Sequence, residues 1–121
     1  MWAEQNMHLD EAADMIKRAL QSDPNNGAYL DSLGWVEYRQ GKFEQALNDL
    51  KRAAQNMTKD DPVVFEHIGD TYLKLNRIAQ ALEAWQKAGG LDPANKKIAD
   101  KIENAKTKMS KSGSAKPNPM E

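Results

Sequence analysis

The stretch from Leu30 to Leu47, LDSLGWVEYRQGKFEQAL, decides the fold of this chain. Its apolar residues recur at intervals of three and four, the spacing that places side chains on one face of an α-helix. Gly41 interrupts this spacing and predicts a tight turn between two helices. A similar stretch, FEHIGDTYLKLNRIAQAL, runs from Phe65 to Leu82, with Asn76 in place of the turn glycine. Both turn residues are expected to have a positive φ, which glycine and asparagine tolerate best.

The two stretches are copies within a repeat of 34 or 35 residues. Gly34 and Gly69, for example, are 35 residues apart. A period of this length, with helical spacing inside it, predicts helix-turn-helix units stacked side by side. The other positions that keep the period are Ala12, Ala46 and Ala81, then Ala19, Ala53 and Ala88, then Leu9, Phe43 and Ile78.

The repeated glycines indicate close helix packing. Glycine in a helix interior costs about 1 kcal/mol relative to alanine, so a glycine present in both copies needs a compensating reason. We expect Gly34 to face Ala46 on the partner helix, and Gly69 to face Ala81, so that the two backbones approach closely.

These residues resemble the tetratricopeptide repeat family, a 34-residue helix-turn-helix unit. One copy matches with Leu30, Leu33-Gly34, Gly41, Ala46, Leu50 and Ala53, and the next with Phe65, Ile68-Gly69, Tyr72, Ala81, Trp85, Ala88 and Pro93. Glu37 departs from the family, which usually has an aromatic residue there. Trp85 shares its column with Leu50 and is interpreted as a core residue. The resemblance implies an all-α fold, a right-handed α-solenoid of such repeats with a C-terminal capping helix.

The register of the repeats divides the chain into a repeat domain over residues 1–109 and a tail. After the last repeat, Ile98, Ile102, Ala105 and Met109 follow spacings of four, three and four, which predicts an amphipathic helix that caps the stack. The predicted divisions are a partial repeat over 1–26 (mainly its second helix), repeats over 27–61 and 62–95, the capping helix over 96–109 and a disordered tail over 110–121.

Composition argues against several classes of function. The 121 residues carry 17 basic and 18 acidic side chains and no cysteine, so neither nucleic acid binding nor a thiolate site is indicated. No apolar run approaches the roughly 20 residues of a membrane span. His8 and His67 are 59 residues apart, and no phosphate-binding loop or hydrolase motif occurs. We therefore expect no enzymatic activity, no catalytic residue, no metal and no cofactor.

In proteins of the resembled family, the first helix of each repeat lines a concave groove that binds peptides. For Trp35 two interpretations remain open: an exposed anchor for a ligand, or packing between adjacent repeats. Leu73 also falls on an inward position. The candidate peptide-binding residues are Asp31, Trp35, Tyr38, Arg39, Glu66, His67, Asp70 and Lys74.

The charges of this groove argue against one known ligand class. A subgroup of the family binds the C-terminal carboxylates of chaperones through Lys, Asn and Arg, whereas the corresponding positions here hold Asp31, Trp35, Glu66 and Asp70. With Arg39 and Lys74 included, the groove has a formal charge of −1. From the sequence, the ligand is therefore expected to have an apolar anchor and a basic group.

The leading hypothesis is a protein-protein interaction module for an unidentified protein or peptide, without direct insertion into a membrane. The alternative is a structural segment of a larger scaffold that self-associates, as a homodimer, through an open N-terminal end. That end is expected to leave some apolar residues partly unshielded. The chain also resembles the C-terminal repeats of larger bacterial proteins, several of them envelope lipoproteins, so both cytoplasm and periplasm remain open. The residues expected to be unshielded are Ala13, Ile16, Leu20, Tyr29 and Leu33.

Overall fold

The computed structural model describes the backbone of residues 2–115 and the side chains of residues 8–111. All regular structure in these residues is helical, and consecutive helices pack against each other, so the predicted all-α repeat solenoid is confirmed. The closest pairs are α2 with α3 and α4 with α5, which are the two complete repeats. The helices are α1 (Trp2–Ser22), α2 (Gly27–Arg39), α3 (Phe43–Gln55), α4 (Pro62–Lys74), α5 (Ile78–Leu91) and α6 (Lys96–Ala115).

Local sequence signals set the ends of these helices. The side chain of Asn26 accepts a hydrogen bond from the Tyr29 backbone N–H and caps α2. Asp61 caps α4 in the same way, directly before the proline that begins the helix. Gly41 and Asn76 have φ values of 83° and 62°, so both predicted left-handed turns are confirmed.

The repeated glycines do permit close packing, and in both repeats the nearest atoms belong to a bulky residue of the partner helix rather than to the predicted alanine. A Cβ on Gly69 would lie 2.3 Å from the indole ring of Trp85. A Cβ on Gly34 would lie 2.6 Å from Leu50 Cγ, and 3.2 Å from the backbone oxygen of Ala46. Each glycine therefore makes room for the bulky residue of the partner helix, and the predicted close approach of Gly34 to Ala46 is confirmed by the 3.2 Å distance.

Both ends of the repeat domain are helical. The predicted partial repeat over 1–26 contains one continuous helix from Trp2 to Ser22. At the other end, α6 continues past the predicted end at Met109 as far as Ala115, so the segment predicted to be disordered begins as helix. Residues 116–121, the rest of that predicted tail, lie outside the described part of the chain.

The core follows the apolar columns of the repeat. Trp85 is 2% exposed, which confirms that it belongs to the core. Ala13 and Leu33 are buried too, contrary to the expectation that the N-terminal end leaves them unshielded. Other fully buried members of the core include Leu30, Leu50, Val64, Ala81 and Ile98.

No helix in the described residues is both long and apolar enough to cross a membrane.

One buried side chain in the described residues is a carboxylic acid. Glu37 in the middle of α2 is 4% exposed, and its Oε1 atom has no hydrogen-bond partner among the described residues. Burial, followed by a hydrogen bond to Asp49 and the negative charge of Asp49, raises the pKa of Glu37 to about 8. Lys17 and Lys42 oppose this rise. A carboxyl group thus occupies a core position where the resembled family has an aromatic ring, and it is protonated at neutral pH.

Candidate peptide-binding surface

The predicted site residues form matching rows on the first helices of the two repeats. On α2, Asp31, Trp35 and Arg39 are spaced by four residues and so share one helix face. On α4, Glu66, Asp70 and Lys74 have the same spacing. We call the surface formed by these two rows, together with Tyr38 and His67, the groove.

Two contacts of His67 join the rows. Its Nδ1 atom lies 3.0 Å from Asp31 Oδ1, and its ring stacks on Trp35 with the ring centroids 3.9 Å apart. Both contacts cross from the second complete repeat to the first. The helices α2 and α4 therefore present a continuous surface rather than two separate faces.

Trp35 lies at the centre of an aromatic cluster. Besides its contact with His67, it stacks on Tyr38 with centroids 4.5 Å apart. Tyr38 in turn meets Phe43 edge to face, with centroids 5.5 Å apart. The indole is half-buried and holds adjacent repeats together, so the packing interpretation describes part of its role. Its remaining surface and the half-buried Tyr38 form a preorganised apolar patch in the groove.

A residue outside the predicted site completes the groove. Lys101 of α6 places its ammonium group 2.6 Å from Glu66 Oε2 and 2.9 Å from Asp70 Oδ1. Burial by itself would lower the pKa of Lys101, but its hydrogen bonds to both carboxylates and their negative charges outweigh burial and raise it. Lys101 is therefore a stable cation that pairs with both carboxylates of the α4 row and offsets part of their negative charge.

Asp70 connects this ionic cluster to the core and to the aromatic cluster. Its Oδ1 atom accepts a hydrogen bond from Trp85 Nε1 at 3.2 Å. The pKa of Tyr38 is raised, first by burial and then by the negative charge of Asp70, with Lys101 acting in the opposite direction. The apolar patch and the ion pairs thus belong to one site.

A cavity of about 370 Å³ adjoins the ionic cluster, between α4, α5 and α6. It is large enough to accept a side chain of a bound segment. The sequence predicted that Asp70 and Leu73 lie on this surface, but it did not predict the α6 residues. The polar residues of a capping helix do not indicate which other helix they contact. The lining residues are Asp70, Leu73, Trp85, Lys101, Asn104, Ala105, Thr107 and Lys108.

A larger cavity of about 570 Å³ lies elsewhere, between α3 and α5. The ammonium groups of Lys51 and Lys87 lie 5.4 Å and 5.1 Å from the ring centroids of Tyr72 and Phe65, which line it. A ligand in this cavity would compete with these cation–π contacts for the aromatic rings. We therefore place the candidate site in the groove, where the aromatic and ionic groups converge.

The outer ends of the two rows are cationic. Arg39 and Lys74 are exposed, and neither forms an ion pair with any side chain in the described range 8–111. The described residues also contain no group of three or more His, Cys, Asp or Glu side chains that could hold a metal ion. The groove therefore offers aromatic stacking and charge pairing, the chemistry of binding a polypeptide segment.

The fold and this surface define a helical-repeat protein of the protein-interaction class. Two profiles described as Tetratricopeptide repeat match residues 3–62 and 64–95. The chain belongs to the tetratricopeptide repeat family, whose members are typically interaction modules rather than enzymes. A TPR repeat-containing protein of Pseudomonas aeruginosa is 37% identical over 68 residues, which is 56% of this chain and 11% of that relative. This relative supports a bacterial origin, and the chain spans about a tenth of its length.

Solved structures share the fold at low identity. The first TPR domain of Spaghetti (RPAP3), bound to an HSP90 peptide, has a TM-score of 0.81 at 18% identity, covering 88% of this chain and 83% of that chain. The Yersinia enterocolitica type III secretion chaperone SycD, in complex with a peptide of the translocator YopD, has a TM-score of 0.78 at 17% identity, covering 87% and 85%. Both neighbours were solved with a bound peptide.

Proposed function

We propose that the groove binds an extended or helical segment of a partner protein, with an apolar side chain of that segment packed on Trp35 and Tyr38. The observation that carries this proposal is the aromatic cluster of Trp35, Tyr38 and His67 in the same groove as Asp70, which lines a cavity of about 370 Å³. Rigid aromatic side chains contribute most of the binding energy in many interfaces, since they bury large areas at low entropic cost. The peptide complexes of SycD and of the Spaghetti domain support the same use of the fold.

A random dodecapeptide library displayed on phage tests the proposal with no assumption about which partner is bound. Selected peptides are synthesised, and their Kd for the wild-type chain, Trp35→Ala and Tyr38→Ala is measured by fluorescence anisotropy. Central aromatic anchors contribute about 2 kcal/mol or more, so each variant should bind about 30-fold more weakly. Lys51→Ala, in the larger cavity between α3 and α5, is the matched control and should keep wild-type affinity.

Trp35 also connects two repeats, so loss of binding must be separated from loss of fold. Circular dichroism and thermal melts identify any variant that unfolds at the assay temperature. Tyr38→Ala tests the groove independently, because the Trp35–His67 contact remains in that variant. Selected peptides that bind wild type and a folded Tyr38→Ala equally well would place the binding site elsewhere.

The alternative function, self-association as part of a larger scaffold, has one observation in its favour. Met15 of α1 is 69% exposed and Tyr29 of α2 is 40% exposed, while Ile16 and Leu20 are half-buried. A second copy could cover these residues across a two-fold axis. Sedimentation equilibrium at high micromolar concentration should then give a dimer mass that Met15→Glu abolishes. A monomer mass for the wild-type chain would exclude this homodimer.

A further inference from the structure

We infer that the segment bound in the groove carries carboxylates beside its apolar anchor, because Lys101 of α6 already pairs with both carboxylates of the α4 row. This inference rests on the proposed function and names the class of its ligand. It reverses the expectation from the sequence, which counted the groove as net acidic and favoured a basic ligand.

Every acidic side chain of the groove already has a partner. Asp31 faces His67 at 3.0 Å. Glu66 and Asp70 share the Lys101 ammonium at 2.6 Å and 2.9 Å. All of these side chains are partly buried, so their charges are less screened than those on the open surface.

The unpaired charges of the groove are cationic. Arg39 and Lys74 are exposed at the last residues of α2 and α4, without an ion pair to any side chain within residues 8–111. Arg39 is four residues, or about 6 Å along the helix axis, beyond Trp35. A segment that packs an apolar side chain on Trp35 can therefore place a neighbouring Asp or Glu near Arg39 and, across the groove, near Lys74.

A basic group on the ligand would instead compete with Lys101 for the two carboxylates of α4. To pair with Glu66 or Asp70 it must displace the Lys101 ammonium from both carboxylates. Lys101 cannot move away together with α6, because Ile98 and Ala105 of that helix are only 1% and 2% exposed and hold it against the core. With Lys101 included, the groove holds three acidic side chains (Asp31, Glu66, Asp70) and three basic ones (Arg39, Lys74, Lys101), rather than an acidic excess.

The test repeats the dodecapeptide selection on three folded proteins: wild type, Lys101→Gln and the compensated double variant Glu66→Gln/Lys101→Gln. Wild type should enrich peptides with Asp or Glu next to an aromatic or aliphatic residue. Their Kd should weaken about 2- to 5-fold for each Asp→Asn or Glu→Gln change in the peptide, the range of one exposed ion pair. Lys101→Gln frees two carboxylates and should enrich Lys or Arg, while the double variant should return toward the wild-type preference.

Lys97→Gln is the matched control, since Lys97 is an exposed lysine of the same helix outside the groove and should leave the preference unchanged. Helix content and melting temperature establish that each variant is folded. If Lys101→Gln unfolds, the peptide-side substitutions measured on wild type decide the question alone. Peptides that need Tyr38 but show no enrichment of carboxylates, or no loss on Asp→Asn, would overturn this inference and leave the proposed function standing. Peptides that bind without Tyr38 would overturn the proposed function itself.

Discussion

Replacing the buried Glu37 by glutamine should stabilise this protein, and increasingly so as the pH rises. The carboxyl group titrates near pH 4.5 in the unfolded chain and near pH 8 in the fold. Between these values the folded state holds a proton that the unfolded state has released. The free energy of unfolding of the wild type therefore falls as pH increases through this window.

The expected size follows from the two pKa values. Each unit of pKa difference corresponds to about 1.4 kcal/mol, and pH 7 lies 2.5 units above the unfolded value of 4.5. The penalty that Glu37 imposes on folding at pH 7 is thus about 3 kcal/mol. Glutamine has nearly the same shape, keeps a donor for Asp49 and does not ionise. Glu37→Gln should recover up to about 3 kcal/mol at pH 7, because the buried oxygen without a partner is common to both side chains and cancels.

Urea unfolding followed by circular dichroism at pH 4.5, 6, 7 and 8 measures this effect. The difference between Glu37→Gln and wild type should be near zero at pH 4.5 and should grow steadily toward pH 8. Glu83→Gln, an exposed carboxylate on α5, is the control and should change stability by less than about 0.5 kcal/mol. A constant difference across the pH range, or a destabilised Glu37→Gln at pH 8, would refute the buried-acid reasoning.

Three further predictions concern the backbone. Gly69→Ala should destabilise the protein by about 1–3 kcal/mol through overpacking, because its Cβ would lie 2.3 Å from the Trp85 ring. Gly90→Ala should instead stabilise the protein by about 0.4–1 kcal/mol, because its Cβ would meet nothing within 4 Å. Thermal melts of the two variants measure this difference. Asn76→Ala should cost about 1–2 kcal/mol in urea unfolding, because this residue has a φ of 62°, and Asn76→Gly should not show that loss. Asp61→Ala should cost about 1 kcal/mol by removing the cap of α4, and amide hydrogen exchange should show faster opening of the first turn of that helix.

Local features of the chain were predictable from the sequence. The turns at Gly41 and Asn76 require only a left-handed backbone, which few residue types tolerate, so the residue identity is informative. The core role of Trp85 followed from its column in the repeat. The contact of Gly69 with Trp85 was not predicted, because spacing places residues on a helix face but does not determine how far a large side chain reaches across the interface.

The sequence by itself determined the helices, their turns and the two rows of groove residues, since all of these depend on interactions between residues close in the chain. Only the tertiary structure decided the charge of the groove and the state of Glu37. Lys101 lies 35 residues from Glu66 and 31 from Asp70, and it reaches them because α6 packs on α5. Electrostatic energy depends on distance and burial in space, and neither can be read from the positions of charged residues along a chain.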